Sequence, residues 1–371
     1  MYVAEWIMWF SCLKSDNWIR KNLEEHSSPS MPVVQPAYED SIVEDRERQA
    51  AKRFEYARSR GPVYACNDTY LEMRCGGMED KRGLITLCSS IFLYFLVGMW
   101  IDFDAPVLWS VVAEPDGYKA WGIGIVVFSL VTTAGTVVLL WLYCKYALRI
   151  TRLEALTSRH QLIRFNRITR QVYLHRPSSC GGILVLPWEG VQTDEVAGLS
   201  LVMGWYPGDS TDLPFPTLVF IGRQSSRLSD LQSEWEFIRR YMDEGGVQAV
   251  EKPRISSQLP LPWPAFTAQF DALWPFLRNS GPVVWLGCLL ISPAFVILGL
   301  SHWASLLLCW RPRWPRIIRE AGQAGKPVPA FTTVEDYPPD VRAQLLANAH
   351  RWALRPGRAP DNRRRGREDA R

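Results

Sequence analysis

The residues able to do chemistry are few and scattered. His26, His160, His175, His302 and His350 form no metal-ligand spacing, and none of the eight cysteines is in a CxxC pair. There is no GxxxxGK[ST], no GxGxxG opening a helix, no HExxH and no GxSxG. Asp209 and Asp212 flank the hydroxyls of Ser210 and Thr211 in Gly208–Asp212, which has the composition of a surface turn. His302 lies in an apolar block, but beside Trp303 near one end it reads as an interfacial residue. No acid, base, nucleophile or metal set emerges. The expectation is a protein that is not an enzyme, with no cofactor, no metal and free thiols. What remains is a run of arginines. Arg149, Arg152, Arg164, Arg167 and Arg170 are the candidate binding residues, with Arg159 among them in sequence. Each such charge is drawn to anionic headgroups by about 1 kcal/mol near a bilayer. The same residues suit a protein partner, or simply set topology.

The elements that must position them are set by hydropathy. The 371 residues are 47% hydrophobic and carry a net charge of +4, too weak to suggest nucleic acid. Leu84–Ile101 and Trp121–Tyr143 carry no charge. As helices they reach roughly 27 and 34 Å, matching a hydrocarbon core of about 30 Å. Trp100, Trp121 and Trp141 sit at block ends. Arg74, Lys81 and Arg82 precede the first block; Lys145 and Arg149 follow the second; the connecting loop, expected over Asp102–Ala120, is acidic. The positive-inside rule then predicts an antiparallel transmembrane hairpin with the N-terminus and everything after Tyr143 in the cytosol. A third block, 283–310, has Ser292-Pro293 near its middle and four arginines just after it. It is expected to be re-entrant, turning near Pro293, with a tilted or kinked crossing as the alternative.

Between the blocks, Leu162–Phe165, Gln171–His175, Gly182–Trp188, Leu199–Tyr206 and Leu218–Gly222 read as strands. A helix follows, with Leu231, Trp235, Ile238 and Met242 on one face, a capping box from Ser229 and Gln232, and a stop at Gly245-Gly246. The expected fold is therefore an α+β integral membrane protein. It has a two-helix transmembrane hairpin, a small cytosolic β-rich domain of pleckstrin-homology-like layout capped by one helix, and the third apolar segment. The expected boundaries are 1–83, a cytosolic region with an amphipathic N-terminal helix (Trp6, Trp9, Phe10, Leu13) and a charged helix over Glu39–Arg60; 84–143, the hairpin; 144–250, the β-rich domain; 251–282, a Pro-rich linker; 283–310, the third segment; 311–354, a region with an amphipathic helix from Pro339; and 355–371, a disordered basic tail.

The succession of two such helices, "IRFNRITRQVYLHR", "VLPWEGV", "EWEFIRRYM" and "HWASLLLCWRPRWP" resembles a family of uncharacterised bacterial inner-membrane proteins that share a domain of unknown function. Its members are often described as type VI secretion-associated, or as putative effectors or neighbours of effector genes. The resemblance covers roughly residues 84–315. Arg164–Arg167, Val172 and Tyr173 carry it, with Pro187–Glu189, Trp235, Phe237–Arg239, Trp314 and Pro315. It brings no catalytic residues. It implies an inner-membrane binding protein with the bilayer and a cognate toxin or secretion component as partners, acting as an immunity protein or a membrane-acting effector. The other reading is a lipid-sensing or scaffold membrane protein unrelated to secretion. Oligomeric state is not readable from the sequence.

Overall fold

The structure, a computed structural model, describes residues 1–14, 54–77, 79–113, 119, 121–194, 200–208, 210–225, 227–271 and 274–352. In chain order it begins with helix α1 (Val3–Leu13) and strands β1 (Val63–Cys66) and β2 (Tyr70–Cys75). Two long helices follow, α2 (Leu84–Ala113) and α3 (Ile123–Thr151). Then come β3 (Gln161–Asn166), β4 (Gln171–His175), β5 (Leu184–Pro187), β6 (Gln192–Asp194), β7 (Leu201–Trp205) and β8 (Thr217–Ile221). Helix α4 (Leu228–Arg240) precedes α5 (Pro262–Asp271), α6 (Trp274–Arg278) and α7 (Pro282–Leu307). Short α8 (Arg316–Glu320) and α9 (Pro339–Ala347) complete the set. The chain divides into a helical unit (Met1, Met78–Arg159, Leu259–Trp310) and a sheet unit comprising the rest.

In the helical unit, α2, α3 and α7 are long and apolar enough to cross a membrane, at about 45, 44 and 39 Å. Their apolar side chains face outward: Phe95, Phe128, Val131, Leu289 and Leu290 are all exposed. No soluble fold tolerates such a surface; hydrocarbon does. The first hairpin is longer than expected. Helix α2 runs past Ile101 to Ala113, through a π-helical turn at Trp100–Asp104, so most of the expected outward loop is helix. The apolar run Ala105–Ala113 supports those extra turns.

The third block corrects the expected turn at Pro293. Helix α7 is continuous through that proline. A proline in a helix forfeits one hydrogen bond and costs about 3 kcal/mol. A reversal at that depth would instead leave several backbone groups unpaired in hydrocarbon, at several kcal/mol each. The chain does return to the end where it entered, but its reversal lies at Ser280-Gly281. The other leg is α5–α6, in the stretch expected to be a linker. The Phe270 and Phe295 rings meet at a tilt with centroids 5.1 Å apart, Trp274 meets Trp285 edge-on, and Trp303 Nε1 donates to the Pro260 carbonyl. These pairs run antiparallel. Gly299 lets the legs touch, since a Cβ there would lie 2.5 Å from Phe266 Cδ1.

The sheet unit holds an eight-stranded antiparallel sheet in the order β5-β4-β3-β2-β8-β7-β6, with β1 paired on β2. It consists of two meanders, joined where Cys75 of β2 bridges Ile221 of β8. The segment expected as a separate N-terminal region therefore supplies an interior strand, with β2 paired along β3 from Tyr70–Asn166 to Cys75–Gln161. The charged helix expected over Glu39–Arg60 lies mainly outside the described residues, and Phe54–Arg60 carries no regular helix. The basic tail also lies outside them.

Helix α4 buries the expected Leu231, Trp235 and Ile238, followed by Met242, against the core. Its expected capping box is absent: the N-cap residue is Arg227, whose amide donates to Ser225 Oγ. Strands β3 and β4 are buried along their whole length, so both of their faces are covered. Ile163, Phe165, Val172 and Leu174 enter the main core, whereas Leu162 and Tyr173 pack with Trp314, Ile318 and Ala321 of the C-terminal segment.

Candidate functional site

The helical unit gathers its polar side chains at one end. Gly83 opens α2 with φ +104° and has no side chain to cap the helix. Glu154 does so from 71 residues away. One carboxylate oxygen accepts the Gly83 amide (2.8 Å), the Thr86 amide (3.1 Å) and the Thr86 hydroxyl (2.6 Å); the other accepts the Ile85 amide. A carboxylate at a helix N-terminus satisfies orphan amides and meets the positive end of the dipole. Arg82 is buried beside it. It donates to Ser305 Oγ (2.9 Å), the Glu154 carbonyl (3.0 Å), Cys309 Sγ (3.2 Å) and Glu79 Oε1 (3.2 Å). Arg159 donates to the Leu306 and Cys309 carbonyls, the unsatisfied end of α7. Ser301 Oγ donates to the Gly83 carbonyl. This network clamps the start of α2, the end of α3 and the end of α7 together. Residues 79, 159, 260 and 310 are consequently all at this end. His302 is buried here, 3.2 Å from Gln269 through Nδ1 and 4.0 Å from Glu79 through Nε2. That is a packed position within the helical unit.

At the other end, α2 brings in an acid that the expected loop concealed. Asp104 is buried against α3. Its Oδ1 accepts the Thr132 hydroxyl (2.6 Å) and the Ser129 hydroxyl (3.0 Å), while Trp100 Nε1 donates to Thr133 Oγ1 (3.0 Å). Indoles mark both ends: Trp109, Trp121, Trp274 and Trp285 at this one, Trp141, Trp263 and Trp310 at the clamp, all exposed, as interfacial belts require.

The five candidate arginines fall into both units and have different fates. Arg149 and Arg152 are exposed in the helical unit, at and just after the end of α3. Arg164 is buried in the sheet unit. Two of its nitrogens reach Glu72 Oε2 at 2.6 and 3.0 Å, and its guanidinium stacks on Tyr70 and Trp314. Trp314 Nε1 donates to the same Glu72 oxygen at 2.7 Å. Such a group presents nothing to a headgroup. Strand alternation places Arg164 on the face that the C-terminal segment covers. Arg167 donates to the Asp68 carbonyl, and Arg170 pairs with Glu189 (2.7 Å) and Asp243 (2.8 Å). Those two carboxylates favour the charged form of Arg170 beyond what its partial burial opposes, so its pKa is raised.

Sequence reasoning missed Glu72, Glu154 and Asp104, because each gains its role from a partner far along the chain. The one local signal was a lone acid next to an apolar run. Two further buried charges, Glu5 of α1 and Arg176, attract each other electrostatically. Burial pushes the Glu5 carboxyl up and the Arg176 guanidinium down. Among the described residues no three His, Cys, Asp or Glu side chains gather as metal ligands. All eight cysteines are free, and burial pushes Cys12 up to about 12 and Cys180 up to about 11, which suits inert thiols. Ser210 and Thr211 form the expected turn, with Asp209 outside the described residues. Comparison with known proteins returns no matching family model, no matching curated protein and no matching solved structure.

Proposed function

We propose that this chain is a resident inner-membrane protein of a bacterium that binds a protein partner through its sheet unit, in the cytosol. Within type VI secretion-linked competition, the role that fits is an immunity protein that engages a cognate toxin. One observation carries the reading. The sheet unit is built from chain segments that lie before, between and after two apolar helical hairpins, and every passage between units leaves the clamped end of the helical unit. Strand β2 pairs with β3 across the first hairpin, which requires both ends of that hairpin to lie on one side. That interleaving of sheet and hairpin segments suits a protein resident in the membrane where it is made more than one exported through water into a rival's membrane. Lys81, Lys145, Arg149 and Arg152 cluster toward the clamped end and Asp102 and Asp104 toward the other, which supports a cytosolic sheet unit. Two meanders and a following helix are compatible with the pleckstrin-homology-like layout, and that layout suits recognition rather than catalysis.

The test is expression with and without the toxin encoded beside the gene. Protection of the host, with normal growth when the chain is expressed alone, supports the immunity role. Growth arrest by the chain alone refutes it.

A further inference from the structure

The core-facing side of β2, β3 and β4 ends in a polar row. Cys75 pairs with Gln161, and Leu162 with His175. Strand alternation then puts Gln161 and Arg176 next on the face that carries Met73, Ile163 and Leu174 into the main core. Glu5 of α1 joins that row at Gly76, where a Cβ would lie 2.8 Å from Gln161 Oε1 and 3.5 Å from Glu5 Oε1. None of Glu5, Gln161 and Arg176 is more than 6% exposed. Groups so buried call for hydrogen-bond partners. Glu5 Oε2, both amide atoms of Gln161, and Nε and Nη2 of Arg176 find none among the described residues. Glu5 and Arg176 line a cavity of about 20 Å³ whose other walls, including Ala4, Trp9, Phe215 and Phe220, are apolar. From this arrangement we propose that the cavity is a binding site for one structural water, which joins Glu5 of α1 to Arg176 of the sheet.

The chemistry of the lining selects the ligand. The polar atoms that lack partners are an acceptor on Glu5 and two donors on Arg176. An anion accepts from the guanidinium but offers nothing to a carboxylate oxygen, and a metal cation does the reverse. Water donates to the one and accepts from the other. A water needs roughly 10–15 Å³ of such space and two to four polar partners, so the cavity takes one. Helix α1 closes it. Trp9 meets Phe215 edge-on with centroids 5.6 Å apart and stacks on Tyr337 at 5.4 Å. Gly181, at φ +94°, permits this closure, since a Cβ there would lie 3.0 Å from the Trp9 ring and 3.1 Å from Arg176 Nη2. The inference is independent of the toxin-binding reading above.

A crystal structure of the full chain grown in a lipidic mesophase, at a resolution that shows waters, tests the site. Density for one water within hydrogen-bond distance of Glu5 Oε2 and of an Arg176 nitrogen is expected. Glu5→Gln, which keeps a polar group of the same shape, should retain it. Glu5→Leu combined with Arg176→Met should lose it while keeping the fold. In detergent, Glu5→Leu alone and Arg176→Met alone should each lower the unfolding midpoint more than the double variant does, because either one strands the polar group opposite. A direct Glu5–Arg176 ion pair with no density between them overturns the proposal. So does an anomalous peak at the site in crystals grown with bromide, which would make the ligand an anion, and so do additive losses in the two single variants.

Discussion

Glu154 and Arg82 illustrate what a single side chain does in this molecule. Neither forms a simple pair with the other's charged group: the carboxylate caps α2, and the guanidinium collects the hydroxyl, thiol and carbonyl groups at the ends of α3 and α7. Replacing Arg82 with Met keeps the length but strands those acceptors in a buried site. A loss of about 3–5 kcal/mol is expected, as for breaking a buried ionic network. It should be read as a lower unfolding midpoint of the detergent-solubilised chain. Glu5 supplies a pH test. Its folded pKa is raised above the ordinary 4.5 because burial penalises the charge. The folded state therefore holds its proton more tightly than the unfolded state. Stability falls as pH climbs from that ordinary value through the folded pKa, and the penalty is complete above it. Glu5→Gln should match wild type at low pH and be the more stable at neutral pH. Equal stability at both ends would show that Glu5 carries no such penalty. Arg164 shows why residue types alone misled. Its spacing in the hairpin suggested an exposed basic patch, but a segment about 150 residues later covers that face and Glu72 takes the charge.

At the scale of elements, local signals were strong wherever a segment's own period decided its structure. Strand β4 spans Gln171–His175, as the alternation indicated, and α4 buries the indicated stripe. The signals were weak where a partner decided. Strands β1 and β2 are short and flanked by polar residues, and only pairing with β3 stabilises them as a sheet. Helices α5 and α6 are rich in proline and carry polar residues, so they read as a linker until packed on α7. Gly299 tests that packing. Gly299→Leu drives a side chain into Phe266 and should cost about 1–3 kcal/mol by overpacking, seen as a lower unfolding midpoint. Pro293→Ala is expected to leave the topology unchanged, because α7 is already continuous there. A change in labelling side for that variant would restore the turn at Pro293.

For the whole molecule, the two hairpins make a topological prediction. With the sheet unit in the cytosol, as proposed, cysteines introduced at Lys119 and at Asn279 should both react with a membrane-impermeant reagent applied from outside the cell. One introduced at Gln323 should react only after permeabilisation. Labelling of Asn279 and Gln323 from the same side would contradict the helical unit as described. The sequence by itself determined the solvent of the long helices, because a charge-free run of 18 or 23 residues has few alternatives to hydrocarbon. It also determined the strand alternation of the β3–β4 hairpin and the direction of the charge bias. Tertiary structure alone decided that 63–75 enters the sheet, that the second reversal lies at Ser280-Gly281, and which arginines stay exposed. Those outcomes depend on contacts between residues 11 to 242 positions apart. Such contacts leave no periodicity in the chain, and burial rather than local preference sets their energy.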